Sequence, residues 1–233
     1  MNKLREIVWA ASRRARQKRA AVFRQKFDLG AATRVLDVGS ENGENIHLVL
    51  SGTGVKAENV YIADIAPEAI KEGRDKFGYQ TVLLDESGRL PFAEGEFDVV
   101  YCSSVIEHTT IPKSEIWKIK NADEFREKAW ENQKIFAEEV RRVGKSYFVQ
   151  TPNRGFVIES HSWLPLAGFL PRPWLLKVLR VSNRFWIKDA PPDFNLLNAD
   201  EMAKLFPEAE IVLEKKFGLV KSIMAMKVAR KKI

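Results

Sequence analysis

Residues Arg34 to Asn45 read RVLDVGSENGEN, an apolar β-rich run that passes through a glycine-bearing turn into a helical segment. Glycine suits such a turn because the backbone must reverse tightly and let a ligand approach with no Cβ in the way. Outward from this junction the same alternation repeats. Strands are predicted at Arg34 to Val38, Val60 to Ala63, Thr81 to Leu84, Phe97 to Cys102 and Tyr147 to Gln150. Helices are predicted at Glu44 to Leu50, at Pro67 to Phe77 with proline at the first position, and at Asp123 to Val143 with Gly144 as the stop. This order of elements specifies an α/β fold, a doubly wound, mostly parallel sheet with helices on both faces and ligands at its carboxyl ends. After Gln150 the alternation lapses through a segment rich in Trp and Pro, about 152–197, with apolar runs such as Trp174 to Leu179. A helix from Ala199 to Phe206, capped by Asn198, and strands at Ile211 to Lys216 and Ser222 to Ala229 close the chain.

At 233 residues the chain accommodates one large α/β core with additions. Its single cysteine, Cys102, excludes an internal disulfide and reads as a small buried hydrophobe. With only three histidines beside it, no spacing reads as a zinc site, so no metal is expected. A reducing cytoplasm fits this cysteine usage, and no apolar stretch approaches a membrane span or a signal-peptide core. The net charge of +7 is unevenly placed: residues 1 to 26 hold nine basic side chains against Glu6 alone, so the other 207 residues sum to −1. The basicity therefore reads as that of an appendage, a basic N-terminal helix over residues 1–27, ahead of a near-neutral main domain, 28–233.

Two cofactor classes compete for the glycine turn. A dinucleotide loop needs G-x-G-x-x-G, yet after Gly39 the required positions hold Glu41 and Glu44, which would face a pyrophosphate with like charge. A sulfonium cofactor carries no phosphate and tolerates those acids.

Asp37, Gly39 and Gly43 fall on the D-x-G-x-G-x-G first motif of the class I S-adenosylmethionine methyltransferases, and the chain resembles the type 11 branch of that family from about Thr33 to Lys227. Glu41 replaces the middle glycine, which leaves the width of the loop open. The resemblance implies a Rossmann-like seven-stranded sheet with an antiparallel last strand and S-adenosylmethionine as cofactor. It places Asp37 and Gly39 at the methionine end, with Ser40 and Gly43 among the cofactor-binding residues. Asp64, with Ile65 beside it, falls at the ribose; Asp85 and Glu86 fall at the adenine, and Ser103 on the stretch facing the cofactor. Asp64 also fits a helix-capping role ahead of Pro67.

Methyl transfer needs a base only where the acceptor must lose a proton. The candidates are His108, just past the fourth strand beside Glu107, and His161, which with Glu159 resembles an acceptor-side Glu-x-His pair of the family. Either histidine also fits a packed structural role, and His47 reads as a surface or packing residue. Ser103 and Ser104 stand where amino-methylating nucleic-acid enzymes carry an Asn/Asp-Pro-Pro-aromatic tetrapeptide, which argues against base amines as acceptors.

The expected activity is methyl transfer to a small-molecule or lipid-linked acceptor; the rivals are a noncatalytic cofactor-binding scaffold and an RNA methyltransferase. Trp9, Trp163, Trp174 and Trp186 lie among arginines and lysines in the helix and the insert. That distribution fits a peripheral seat of residues 1–26 on an anionic membrane surface, as it also fits solvated faces. No recognisable RNA-binding module accompanies the charge, which counts against a nucleic-acid partner.

Overall fold

The chain's apolar runs assemble into one sheet in the computed structural model, which describes residues 2–158, 161–184 and 190–229. The strands are β1 (Val35–Val38), β2 (Val60–Asp64), β3 (Gln80–Leu83), β4 (Phe97–Ser103), β5 (Gly144–Pro152), β6 (Glu210–Lys216) and β7 (Leu219–Lys227). The helices are α1 (Asn2–Lys26), α2 (Glu44–Leu50), α3 (Pro67–Phe77), α4 (Ala122–Val143), α5 (Arg172–Ser182) and α6 (Ala199–Leu205). The strand order is β3-β2-β1-β4-β5-β7-β6. Strands β1 to β5 run parallel, and β7 runs against both its neighbours. This is the doubly wound sheet with a reversed last strand that the family resemblance implied.

Every residue of β1 is buried, because a central parallel strand is covered on both faces. Strand alternation sends Leu36, Val38, Val100 and Cys102 into a core with α4 and α6, and Val35, Val99 and Tyr101 into a core with α1 and α2. The capping signals act as read: Pro67 opens α3, Gly78 closes it with φ 72°, and Asn198 with Glu201 forms a reciprocal capping box on α6.

Helix α1 corrects the reading of an appendage. Ala15, Ala20 and Phe23 on its C-terminal half are buried, as is Phe27 just beyond it. Phe23 meets Tyr101 and Phe148 edge to face at 5.3 and 5.7 Å. Part of the basic charge is spent inside the molecule. Arg19 pairs with Glu214, Lys26 with Glu210, and Arg24 donates to the carbonyls of Leu48 and Val49 that α2 leaves unsatisfied at its end. Gly144 also differs from expectation: it stops α4 in extended geometry, with φ −106°, and begins β5 at once. Glycine is required there because a Cβ would lie 2.6 Å from Val100 Cγ2.

The Trp/Pro-rich segment leaves and rejoins the sheet edge at one place, where Asn153 bridges Leu197 and Arg154 N donates to Leu197 O at 3.0 Å. Within it α5 buries Leu175 and Leu179 against Ala167, Ala190, Phe194 and Leu196. The buried Arg172 guanidinium donates to the carbonyls of Ile116, Ile119 and Pro192 and lies 3.4 Å from the Phe125 ring centroid. Trp174 is 60% exposed, so it does not pack over the sheet. Trp186 lies outside the described residues. Among the described residues no helix is long and apolar enough to cross a membrane.

Candidate cofactor and acceptor site

Beyond β1 the chain passes through three left-handed residues, Gly39 (φ 69°), Glu41 (φ 51°) and Gly43 (φ 74°). Glu41 therefore takes the backbone geometry of the glycine it replaces. At Gly39 a Cβ would lie 2.3 Å from Val105 Cγ2, so no side chain fits. The Asp64 carboxylate ties the loop to the next strand: Oδ2 accepts from Glu41 N at 2.8 Å and Oδ1 from Ala66 N at 3.0 Å. After β3, Asp85 accepts from the backbone and hydroxyl of Ser87, which hold its carboxyl below the usual range.

These residues border a cavity of about 370 Å³ at the carboxyl end of the sheet, within the ~300–1,000 Å³ usual for small-molecule sites. Of the residues expected from sequence, Gly39, Asp64, Ile65, Asp85, Glu86 and His108 line it. Asp37, Ser40, Gly43 and Ser103 do not. Gly43 instead caps α2 in the left-handed conformation. Ser103 donates to Gln150 Oε1 at 2.8 Å, and the chain then turns at Ser104 (φ 61°), which takes the wall position. Asp37 is buried one residue back from the wall. Burial, and then the charge of Asp64, push its carboxyl well above the usual range. Its Oδ2 and the Ser40 hydroxyl have no hydrogen-bond partner among the described residues. Two buried polar atoms in one loop are what a polar ligand tail would satisfy.

Sequence reasoning missed Glu41, Val105, the turn Thr109–Ile111, Lys113, Asn132, Phe136 and Asp193 on the wall. Asp193 is the consequential omission. Its Oδ1 lies 3.0 Å from His108 Nδ1, and its carbonyl accepts from Thr110 Oγ1. A carboxylate can only accept, so Nδ1 is the ring nitrogen that donates to it. The His161 ring meets that of His108 edge to face at 4.5 Å and stacks on Phe194 at 4.7 Å. His161 Nε2 is 3.5 Å from Oε1 of the fully buried Glu107, whose other oxygen accepts from Thr151 Oγ1. Glu107, His108 and His161 thus share one place, although their sequence spacing carried no metal signature. Glu159 lies outside the described residues. His47 packs against Phe77 and reaches Tyr79 OH, and Cys102 is buried with its thiol pushed up by burial.

Residues 36–122 match the family model of the methyltransferase domain, a span from β1 to the start of α4. No curated protein matches the sequence. Among solved structures, magnesium protoporphyrin IX methyltransferase from Synechocystis PCC 6803 with bound S-adenosylhomocysteine is similar at 14% identity and TM-score 0.54, over 97% of this chain and 88% of that one. The same enzyme with bound S-adenosylmethionine gives 13% identity and TM-score 0.52, over 97% and 85%. The PH0226 protein of Pyrococcus horikoshii OT3 gives 15% identity and TM-score 0.53, over 95% and 91%. At these identities the likeness is one of fold.

Proposed function

We propose that this chain, whose residues 36–122 match the methyltransferase-domain family model and whose sheet has the strand order of the class I methyltransferase fold, transfers the methyl group of S-adenosylmethionine to a small-molecule acceptor beside His108. The observation that carries this reading is that the glycine loop, Asp64, Asp85 and His108 all border one cavity. Glu41, Asp64, Asp85, Glu86 and Asp193 give it five carboxylates against Arg89 and Lys113. That excess suits a sulfonium with an ammonium tail and repels a pyrophosphate.

S-adenosylmethionine supplies an electrophilic methyl group on a positively charged sulfur. The residues supply position. Asp64 accepts from the ribose hydroxyls through the lone pairs that its two backbone partners leave. Asp85 accepts from the adenine amino group beside Glu86, between the apolar walls of Ile65, Leu84 and Phe136. Asp37 and Ser40 answer the methionine end. Asp193 fixes the His108 ring at the acceptor side of the cavity. Alignment of this kind is worth on the order of 7–11 kcal/mol. Asp64→Ala is the sharpest test. It should weaken binding of S-adenosylmethionine and its demethylated product at least tenfold with the fold intact, and unchanged affinity would remove Asp64 from the site.

A lipid-linked acceptor is favoured by one observation: Leu166, Phe169, Trp174 and Val181 of the insert are each more than half exposed. Apolar side chains presented beside Lys177 and Arg180 suit an anionic lipid surface. Anionic vesicles carrying a lipid-linked hydroxyl acceptor should then support faster product formation than the same acceptor headgroup free in solution.

A further inference from the structure

We propose that Glu107, His108 and His161 form a binding site for a divalent transition-metal cation of the zinc class, at the acceptor side of the cavity. The inference extends the reading of His108 as an acceptor-side residue. One donor atom from each residue falls within a common span of 4.8 Å. Two imidazoles and one carboxylate are the donors of open zinc sites, and they select against magnesium and calcium, which prefer oxygen alone.

Three further observations point to a cation. Glu107 is fully buried, and its Oε1 has no hydrogen-bond partner among the described residues, although its Oε2 is held by Thr151. A buried carboxylate oxygen in that condition is costly unless a positive charge faces it. Next, His161 Nε2 stands 3.5 Å from that oxygen, longer than the ~2.7–3.2 Å of an ordinary N–H···O bond. Metal bonds of ~2.0–2.2 Å at a tetrahedral angle set neighbouring donors ~3.3–3.6 Å apart; this pair meets that spacing, and the full three-donor span of 4.8 Å closes by about an ångström when a cation binds. Finally, the outer support that metal-bound histidines require is in place at His108. Asp193 holds His108 through Nδ1 and leaves Nε2 to coordinate, while the adjacent Phe194 stacks on His161. A solitary proton acceptor would need neither the second imidazole nor the buried Glu107.

Three protein donors leave a coordination position for the acceptor, which is therefore a molecule bearing an oxygen donor, such as a phenol or hydroxy acid. Coordination lowers the pKa of its hydroxyl, whose proton passes to solvent. The oxygen then forms the O–CH₃ bond as the C–S bond breaks and its electron pair returns to sulfur.

The test is titration of the full-length, chelator-treated chain with Co²⁺ by visible absorption and with Zn²⁺ by calorimetry. The expected result is one cation per chain at micromolar affinity or tighter. Glu107→Gln and His161→Gln should each weaken it more than tenfold, and Asp193→Asn ~10- to 100-fold. Circular dichroism and S-adenosylmethionine affinity are read in parallel, and should stay at wild-type values in Glu107→Gln and His161→Gln. Should Glu107→Gln fail to fold, His161→Gln carries the comparison. Absence of one-to-one binding, or affinity indifferent to the two glutamine variants, overturns the site. Metal binding without cofactor binding would sustain the site and defeat the methyl-transfer reading; cofactor binding alone would defeat only the site.

Discussion

At the scale of single residues, Glu41 and Asp37 carry opposite tensions within one loop. Glu41 is held at φ 51°, where a Cβ is crowded. Glu41→Gly should therefore raise stability by about 0.5–1 kcal/mol, read as an increase of a few degrees in Tm. Asp37 has its native pKa raised by burial and by Asp64, so the fold favours its protonated form. That contribution is full below the ordinary carboxylate range and is lost as pH climbs through the raised native value. Asp37→Asn should consequently stabilise the chain increasingly from pH 4 to pH 8 in denaturant unfolding, while weakening the cofactor; a pH-independent difference would reject the assignment. Much of the cavity wall could be read from strand ends, because Gly39, Asp64 and Asp85 each fall at the end of a β run. Ser104 was displaced by one from the expected Ser103 because a left-handed turn, invisible in composition, re-aims the chain there. Asp193 had no local signal at all, since it meets His108 across 85 positions of chain.

At the scale of elements, the strands and the helices α2 and α3 were readable because periodicity, Pro67 and the glycine turn agree. Helix α5 was not, since Pro171, Pro173 and an outward Trp174 obscure its apolar face. Its anchor is Arg172, whose guanidinium has no carboxylate partner among the described residues and whose pKa burial lowers to about 10. Arg172→Met should cost ~2–4 kcal/mol by leaving the carbonyls of Ile116, Ile119 and Pro192 without their donor, and should raise hydrogen exchange through residues 109–121. Helix α1 misled for a different reason: its charge is conspicuous, but Phe23 determines its place. Phe23→Ala should cost ~3–5 kcal/mol. Reversing the exposed Arg13, Arg14 and Lys18 should leave stability unchanged and weaken association with anionic vesicles; equal association would reject a membrane role for this face.

At the scale of the whole molecule, the sheet gathers the carboxylates that follow β1, β2 and β3 around one cavity, whose wall meets the Glu107, His108 and His161 cluster at His108. The fold class and the cofactor class were both readable, since the glycine turn and the acids at strand ends lie close together in sequence. On the acceptor side Glu107, His108 and His161 were named singly, but their meeting and the Asp193 contact were not readable, because these residues come from segments far apart. The measurement that bears most directly on the account is calorimetric titration of the purified chain with S-adenosylmethionine, S-adenosylhomocysteine and NAD in parallel. The account predicts micromolar binding of the two sulfur compounds and none of NAD; binding of NAD, with neither sulfur compound bound, would contradict it.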